Sequence, residues 1–310
     1  SKVAHLIVTW LVAIGSNLSA FWILGANSFM QHPVGYALEN GRAVMTDFFA
    51  LVTNRYVLGE YSHTFFAGLT TAGFVVLAVS AWKILHDEKS RQAFTKTLAA
   101  GAVYMLVGVL GVMGSGHMHA QYLREANPMK LSSMEALWET EDPAPFAVFA
   151  SINPAAGRND FEIAIPGLFS FMLYNAPEGE VKGINDLQKE AVAAYGADDY
   201  RPDVTGLFWS FRIMVGLGGL MMLIAAAVCA LIKTDRLLAF PWLLKILPWL
   251  LPLPFIANSV GWFIAEGGRQ PWIVVGLQKT ADAVSPNITG GEVWLTMIGF
   301  TVIYLLLAMA

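Results

Sequence analysis

The sequence has little charge and almost no cysteine. Only 14% of its 310 residues are Asp, Glu, Lys or Arg, whereas 56% are hydrophobic. Because soluble globular domains carry about 25% charged residues, this composition excludes an ordinary soluble protein and indicates a membrane protein. The single cysteine, Cys229, lies inside an apolar run. It therefore allows neither an internal disulfide nor a cysteine-based metal site.

Basic clusters are also missing, so we expect no nucleic-acid partner. The basic residues that flank short connections still carry information, because Lys and Arg are retained on the cytoplasmic side of short loops. They alternate correctly for six spans, and they place the first span running from inside to outside. The three groups are Lys2, then Lys83, Lys89, Arg91 and Lys96, and finally Lys233, Arg236 and Lys245.

Long apolar runs dominate the sequence. A helix needs about 20 apolar residues to cross the bilayer core, since hydrocarbon cannot satisfy exposed backbone groups. The sequence therefore predicts an all-α, polytopic transmembrane helix bundle with six spans in this piece. The predicted spans cover residues 4–30, 58–85, 93–115, 206–232, 239–266 and 292 to the end.

The connections between the spans differ in character. Residues 33–56 mix apolar and polar side chains, which favours a short amphipathic segment along the membrane surface. The segment 116–205 is long and rich in Pro, Asn, Asp and Glu, which predicts a partly helical extramembrane domain. We thus divide the chain into three spans (1–115), this domain (116–205) and three further spans (206–310). Since the chain opens without Met and closes in an apolar run, we expect an internal piece of a longer protein.

Two side chains in the spans are candidate iron ligands. His63 lies near the outer end of the second span, where it is either an interfacial histidine bonded to a backbone carbonyl or an axial ligand of haem. Met214 lies in the fourth span, about two turns below the same surface. Methionine in an apolar helix ordinarily serves packing. At matching depth, however, the two side chains could give the His/Met ligation of a low-spin haem.

Ionisable side chains in the spans need partners, because charge in hydrocarbon is costly. Arg212 has no carboxylate near it in the sequence, so it either binds an anion such as a haem propionate or extends to the headgroups. Glu266 either pairs with Arg269, three residues later, or points into the bundle as an iron ligand or proton carrier. In that second case Arg269 neutralises Glu266 or a propionate.

Other polar groups allow two readings each. Ser16, Asn17 and Ser19 form a polar cluster in the first span, which either holds helices together or forms part of a proton path. His117 and His119 have a spacing that could bind a surface metal. In the segment 116–205, which we call the outer segment, charged and apolar residues combine in one amphipathic helix, whose charged face is either solvated or part of a quinol site. These residues are Lys130, Met134, Glu135, Leu137, Trp138 and Glu139.

Four segments together resemble subunit I of cytochrome bd-type quinol oxidases: GSNLSAFWILGANSFMQHPVG, NPMKLSSMEALWET, FRIMVGLG and GWFIAEGGRQPW. The similarity runs through essentially the whole chain, and GRQPW after a Glu-bearing helix is a specific mark. Members of this family have nine spans. The piece is therefore similar to spans four to nine with the last one cut short, and its outer segment resembles the shorter form of the family's Q-loop.

The resemblance implies roles for the residues that match the family's motifs. His63 and Met214 match the axial ligands of a low-spin haem b, and Arg212 matches the basic residue beside that haem. Glu266 matches the carboxylate ligand of a high-spin haem. Arg269 and Trp262 belong to the same cofactor-binding signature. The Q-loop pair implicated in quinol oxidation is matched by Lys130 and Glu135, and Ser19 and its neighbours fall near a proton route.

The activity implied is that of a terminal oxidase in the bacterial plasma membrane. It would oxidise ubiquinol or menaquinol at the periplasmic or outer side, where the Q-loop lies, and reduce dioxygen to water. Proton motive force would arise from charge separation without a pump. The implied cofactors are low-spin haem b, high-spin haem b, and haem d or a third haem b. The implied partners are a second integral subunit, an optional small single-span subunit and membrane lipids.

Two departures from the family pattern have consequences. The family's first three spans are not represented in this piece, and with them a histidine ligand for another high-spin haem and acidic residues that feed protons to the oxygen site. We therefore expect that this chain alone does not form the full dihaem centre. His117 follows Gly116 at the position where many relatives carry an acidic residue. The resemblance therefore implies no proton or structural role of such an acid in this chain.

Two rival functions stay open at this stage. One is a haem b subunit that oxidises quinol without oxygen chemistry. The other is a haem-free transporter, which broken helices would favour. Pro248, Pro252 and Pro254 hint at such a break, whereas the clustering of ionisable groups at the outer face argues against transport.

Overall fold

The computed structural model describes residues 1–309, and helices account for most of them. The helices are α1 (Lys2–Gln31), α2 (Phe48–Val52), α3 (Arg55–His86), α4 (Arg91–Ala126), α5 (Pro128–Glu135), α6 (Leu168–Tyr174), α7 (Ile184–Tyr195), α8 (Val204–Lys233), α9 (Pro241–Ile246), α10 (Pro252–Gly267) and α11 (Gly290–Met309). The strands are β1 (Tyr36–Glu39), β2 (Arg42–Met45), β3 (Phe146–Asn153), β4 (Arg158–Ile165), β5 (Trp272–Val274) and β6 (Gln278–Lys279).

Six helical stretches within residues 1–309 are long and apolar enough to cross a membrane. They are α1, α2 with α3, α4, α8, α9 with α10, and α11. This confirms the predicted fold class of a helical membrane bundle. Helix α4 continues to Ala126, past residue 115, where we expected the span to end. Its last turns therefore carry part of the segment that we assigned to the extramembrane domain.

Prolines divide the fifth span, as the sequence hinted. Helix α9 ends at Ile246, a 3₁₀ turn covers Leu247–Leu250, and α10 begins at Pro252. Proline has no N–H to donate and its ring clashes with the preceding turn, so a continuous α-helix cannot form there.

The connection after α1 differs from the amphipathic surface segment that we expected. Strands β1 and β2 form an antiparallel hairpin, and Asn40 and Gly41 connect them with positive φ angles of 51° and 76°. An Asn-Gly pair suits a tight hairpin turn because both residues tolerate positive φ. The short helix α2 follows, and the Asp47 side chain accepts a hydrogen bond from the N–H of Ala50 at its start. The prediction was wrong because we overlooked this turn signal.

Between α4 and α8 the chain folds into α5, the β3–β4 hairpin, α6 and α7. This part of the outer segment shares its apolar core with the spans. Trp138, Ala147 and Ile184 pack in one buried cluster with Phe208 of α8. Leu131 and Phe169 pack in another with Tyr56 of α3. The outer segment is thus anchored on two spans.

Four spans form a closed ring of neighbours. Helix α3 packs along α4, α4 against α8, α8 against α10, and α10 against α3. In the half of the bundle that lies away from residues 127–203, apolar side chains pack between these helices. They include Phe74, Leu77, Met105 and Met221. Helix α1 packs on the outside of α3. In this ring α3 and α8 are not neighbours, because α4 lies between them on one side and α10 on the other. Side chains of α3 and α8 therefore come from opposite members of the ring.

Glycine lets α3 and α4 approach each other closely. A Cβ added at Gly108 of α4 would lie 2.6 Å from both the backbone nitrogen and the Oγ1 of Thr70 in α3, which is too close for any real contact. At Gly114, also in α4, an added Cβ would meet nothing within 4 Å. We therefore expect Gly108→Ala to lower the free energy of unfolding by about 1–3 kcal/mol, the usual cost of overpacking.

Thermal unfolding of the purified protein in detergent measures this effect, with Gly114→Ala as the matched control. The control should be neutral or slightly stabilising because alanine favours helix over glycine. Equal midpoints for the two variants would refute the close-packing role of Gly108.

Candidate functional site

The two candidate iron ligands each lie beside a glycine of a neighbouring helix. His63 of α3 is half-buried, and its Nδ1 lies 3.4 Å from the Ser115 hydroxyl of α4. A Cβ added at Gly116 would lie 3.1 Å from the His63 ring. Met214 of α8 is also half-buried, and a Cβ added at Gly261 of α10 would lie 3.3 Å from its sulfur.

This arrangement fits the haem that the sequence led us to expect. An imidazole and a thioether, the donor pair of low-spin electron-transfer haems, come from two spans that alternate with α4 and α10 in the ring. A partner at Nδ1 leaves Nε2 of His63 for a ligand, as is usual for metal-binding histidines. The residues at this level therefore fit the group, and the ligand assignment itself stays a prediction.

Arg212 binds a carboxylate of the outer segment. Its Nη2 lies 2.6 Å and its Nη1 3.2 Å from the two carboxylate oxygens of Glu135, in a bidentate pair. The guanidinium also donates to the carbonyl oxygens of Met134 and Ala147, and it lies over the Phe208 ring at 3.9 Å. In this structure the anion at Arg212 is therefore Glu135, and the side chain does not extend to the headgroups. Its proposed role beside a haem stays a prediction.

Glu135 is almost completely buried, with 3% of its surface exposed. Burial raises the pKa of this carboxyl to about 7, and the charge and hydrogen bonds of Arg212 limit the rise. A carboxyl with such a pKa can take and return a proton near neutral pH. The geometry thus makes Glu135 a candidate general base.

Lys130, on the same helix α5, points into the bundle. Its ammonium donates to the Oε1 of Gln31 at 3.2 Å, the hydroxyl of Tyr56 at 3.4 Å and the carbonyl of Ala265 at 3.1 Å. Burial lowers its pKa to about 8, and the negative charge of Glu60, followed by that of Glu266, opposes this shift. A Cβ added at Gly268 would lie 2.7 Å from Lys130 Cγ, so glycine there leaves room for the lysine.

The charged face of α5 is therefore not solvated. Lys130 and Glu135 are both buried, whereas Glu139, beyond the end of the helix, is exposed. The solvated alternative is wrong for the first two residues because α5 packs between α4 and α8 instead of lying on the surface.

Glu266 and Arg269 form the ion pair that one reading of the sequence predicted. Asn27 of α1 donates to the second carboxylate oxygen of Glu266 at 2.5 Å. Arg269 is buried and also contacts the Met30 sulfur at 3.1 Å and the carbonyl oxygen of Ile273. The pair thereby joins the end of α10 to α1, and the metal-ligand role of Glu266 stays a prediction. Trp262, one turn before Glu266, lies on an exposed face of α10.

Several residues of this region were missed by our reading of the sequence. Glu60 lies one turn before His63, and its Oε2 is buried without a hydrogen-bond partner among residues 1–309. Tyr56, Gln31 and Asn27 complete the hydrogen-bond network around Lys130 and Glu266. The signal for Glu60 was present, because a carboxylate inside a predicted span is costly and needs a reason.

The remaining polar candidates are not brought into one cluster within the described residues, and their roles stay predictions. Ser16 and Asn17 donate to the carbonyl of Ala13 in their own helix and are not buried against another span. The rings of His117 and His119 lie in different surroundings. His117 contacts the Asn175 side chain at 3.1 Å, whereas His119 packs edge-on against Tyr56. Within residues 1–309 no cluster of three or more His, Cys, Asp or Glu could hold a metal ion.

Comparison with known proteins gives a consistent result. The family model described as cytochrome bd terminal oxidase subunit I matches residues 1–310. The chain is 44% identical to the Bacillus subtilis cytochrome bd ubiquinol oxidase subunit 1 over 99% of its own length and 65% of that relative. It is 33% identical to the Escherichia coli cytochrome bd-II ubiquinol oxidase subunit 1 over 100% of its length and 71% of that relative.

A solved structure shows the same fold. The bd oxidase from Geobacillus thermodenitrificans superimposes with a TM-score of 0.83 at 28% identity, covering 100% of this chain and 68% of that one. The chain thus spans about two thirds of the length of the proteins that it matches.

The interaction between Glu60 and Lys130 can be measured with a double-mutant cycle. Neither the Lys130 ammonium nor the Glu60 carboxylate has an opposite charge within 4 Å among residues 1–309, and we expect the two charges to compensate each other across α3 and α5. Removing one should leave the other uncompensated. We expect Glu60→Gln and Lys130→Gln each to lower the thermal midpoint. The double variant should recover part of the loss, with a coupling energy of about 0.5–3 kcal/mol.

Unfolding of the purified variants in detergent measures the coupling, and Glu139→Gln, at an exposed position, is the control for loss of a carboxylate. Strict additivity of the two single changes would mean that Glu60 and Lys130 do not interact.

Proposed function

Since this chain belongs to the cytochrome bd terminal oxidase subunit I family, we propose that it is the haem-binding portion of a membrane-bound quinol oxidase. The observation that carries the proposal is the position of α5. Through this single buried helix, Glu135 binds Arg212, which precedes Met214 by two residues in α8. Lys130 of the same helix contacts Gln31 and Ala265, next to Glu266. One element of the outer segment thus contacts both places where we expect haem.

In this proposal quinol binds at the outer segment, which is the family's Q-loop, and Glu135 accepts a hydroxyl proton. Arg212 holds the carboxylate in position and stabilises its charged form through two hydrogen bonds. Lys130, whose ammonium donates to Gln31, Tyr56 and Ala265, contributes a positive charge near neutral pH, which suits the stabilisation of an oxygen anion that develops during oxidation.

His63 and Met214 would hold the low-spin haem b, and Glu266, with Arg269 as its counter-charge, would be a ligand of a high-spin haem. When bound, the haems supply one-electron transfer and the reduction of dioxygen to water. The oxygen site would contain high-spin haem b and either haem d or a third haem b. Ser115 orients the His63 ring, and Asn27 and Arg269 fix both oxygens of Glu266. Proton motive force would follow from charge separation without pumping.

The chain is a multi-pass membrane protein of a bacterial family. We propose that its Q-loop faces the periplasmic or outer side. Ubiquinol or menaquinol would be the substrate, and a second integral subunit would complete the oxidase.

The ligand assignment predicts distinct spectra for two variants. His63→Ala should abolish the low-spin haem signal because an axial ligand is lost, whereas Glu266→Ala should spare that signal and remove the carbon monoxide-sensitive signal of the oxygen site. Reduced-minus-oxidised spectra of the intact complex, with and without carbon monoxide, measure both effects. His86→Ala, at an exposed position of the same helix, is the control.

A normal low-spin spectrum in His63→Ala would contradict the ligand assignment. A low-spin signal without any response to carbon monoxide in the unaltered complex would instead favour a quinol-oxidising subunit that lacks oxygen chemistry.

The role of Glu135 predicts a dependence on pH. The pKa of this carboxyl is raised from its ordinary value to about 7, so below pH 7 it is mostly protonated and cannot accept a proton. We expect quinol oxidation to become faster as pH rises through about 7. Glu135→Gln should lower the rate by about 10²–10⁴-fold and abolish this inflection.

The rate of steady-state quinol oxidation, measured from roughly pH 5.5 to roughly pH 8.5 so that the range includes the inflection, tests the prediction. Glu139→Gln is the matched control. An inflection that survives unchanged in Glu135→Gln would assign the titration to another group.

A further inference from the structure

A cavity lies where α3 begins and α4 ends, under helix α6 of the outer segment. Its volume is about 340 Å³, and Arg55, Tyr122, Arg124, Glu125, Tyr174 and Asn175 are among the residues that line it. None of these residues takes part in the proposed quinol or haem chemistry. The cavity therefore needs an explanation of its own.

Two guanidinium groups dominate this cavity, and each lies over a tyrosine ring. The Arg55 guanidinium is 5.1 Å from the centroid of Tyr122, and that of Arg124 is 4.1 Å from the centroid of Tyr174. Stacking on an aromatic face fixes the plane of a guanidinium and leaves its edge donors free. Arg55 has no side-chain hydrogen bond within residues 1–309, whereas Arg124 uses one Nη2 contact of 2.9 Å to Glu125.

The lining carries more positive than negative charge. Glu125 is the one carboxylate among the lining residues, and Arg124 already binds it. The Oδ1 of Asn175 contacts His117, so the amide nitrogen of Asn175 remains as a donor. Two guanidinium charges against one carboxylate leave a net positive charge. A lining of this kind recognises an anion.

The position of the cavity narrows the choice of anion. Arg55 is the first residue of α3, and Arg124 lies in the last turn of α4, so both are at the ends of spans on the side of the outer segment. Tyrosines at this level are typical of the membrane interface, where phospholipid phosphates are concentrated. Guanidinium groups match the oxygens of phosphate with paired hydrogen bonds.

We propose that Arg55 and Arg124 bind a phosphate group at this cavity, carried by an anionic phospholipid headgroup or present as free phosphate. The site is independent of quinol oxidation. A bound phosphate would join the start of α3, which carries His63, to the end of α4 and to α6.

Binding to the intact complex by native mass spectrometry tests the proposal. The probes are dioctanoylphosphatidylglycerol, inorganic phosphate, and dioctanoylglycerol, which has the same acyl chains without phosphate. We expect the phosphate-bearing probe to bind, and Arg55→Gln/Arg124→Gln to weaken this binding by about 10- to 100-fold, as for loss of charged hydrogen bonds. Arg55→Lys/Arg124→Lys should be intermediate because the charge remains and the paired geometry is lost.

Arg158→Gln is the matched control, since Arg158 is exposed in the outer segment and does not line the cavity. Competition by inorganic phosphate would support the proposal with free phosphate as the ligand, and retention of the lipid despite added phosphate would support it with the headgroup as the ligand. Equal binding in the unaltered complex and the glutamine variant would overturn it. So would a raised KM for quinol in that variant with unchanged phosphate binding, because the cavity would then be part of the substrate site.

Discussion

Compensation of buried charge is the constraint on which the outer half of this bundle depends. A charge removed from water is stable only when it meets an opposite charge or enough hydrogen bonds. Helix α5 inserts two such charges among the spans. Glu135 meets Arg212 directly, and Lys130 meets three oxygens from α1, α3 and α10. Polar contacts of α5 therefore help to position α1, α3, α8 and α10 at this end of the bundle, in addition to apolar packing.

Glycines and prolines adapt the helices to their neighbours at specific positions. Gly268 leaves space for the Lys130 stem, and Gly116 and Gly261 leave space beside the two candidate ligands. The prolines around Leu247–Leu250 divide the fifth span well below this polar level. Small residues thus set where the helices and side chains of the bundle pack closely.

The sequence predicted the spans, the helical class and the family, because hydrophobic length and motif residues are local properties. It did not predict the partners of the buried charges. Glu135 and Arg212 are 77 residues apart, and Asn27 and Glu266 are 239 apart, so neither contact has a local signal. The hairpin at Asn40 and Gly41 and the carboxylate of Glu60 did have local signals, which the emphasis on hydrophobic runs obscured.

The Glu135–Arg212 pair has a consequence for engineering. It joins a segment outside the spans to the helix that carries Met214, and neither partner can be satisfied by a neutral substitute at the other position. A chimera whose imported outer segment lacked a carboxylate at position 135 would therefore leave the Arg212 guanidinium without its charge partner. The outer segment and α8 therefore have to be exchanged as one unit when this protein is redesigned.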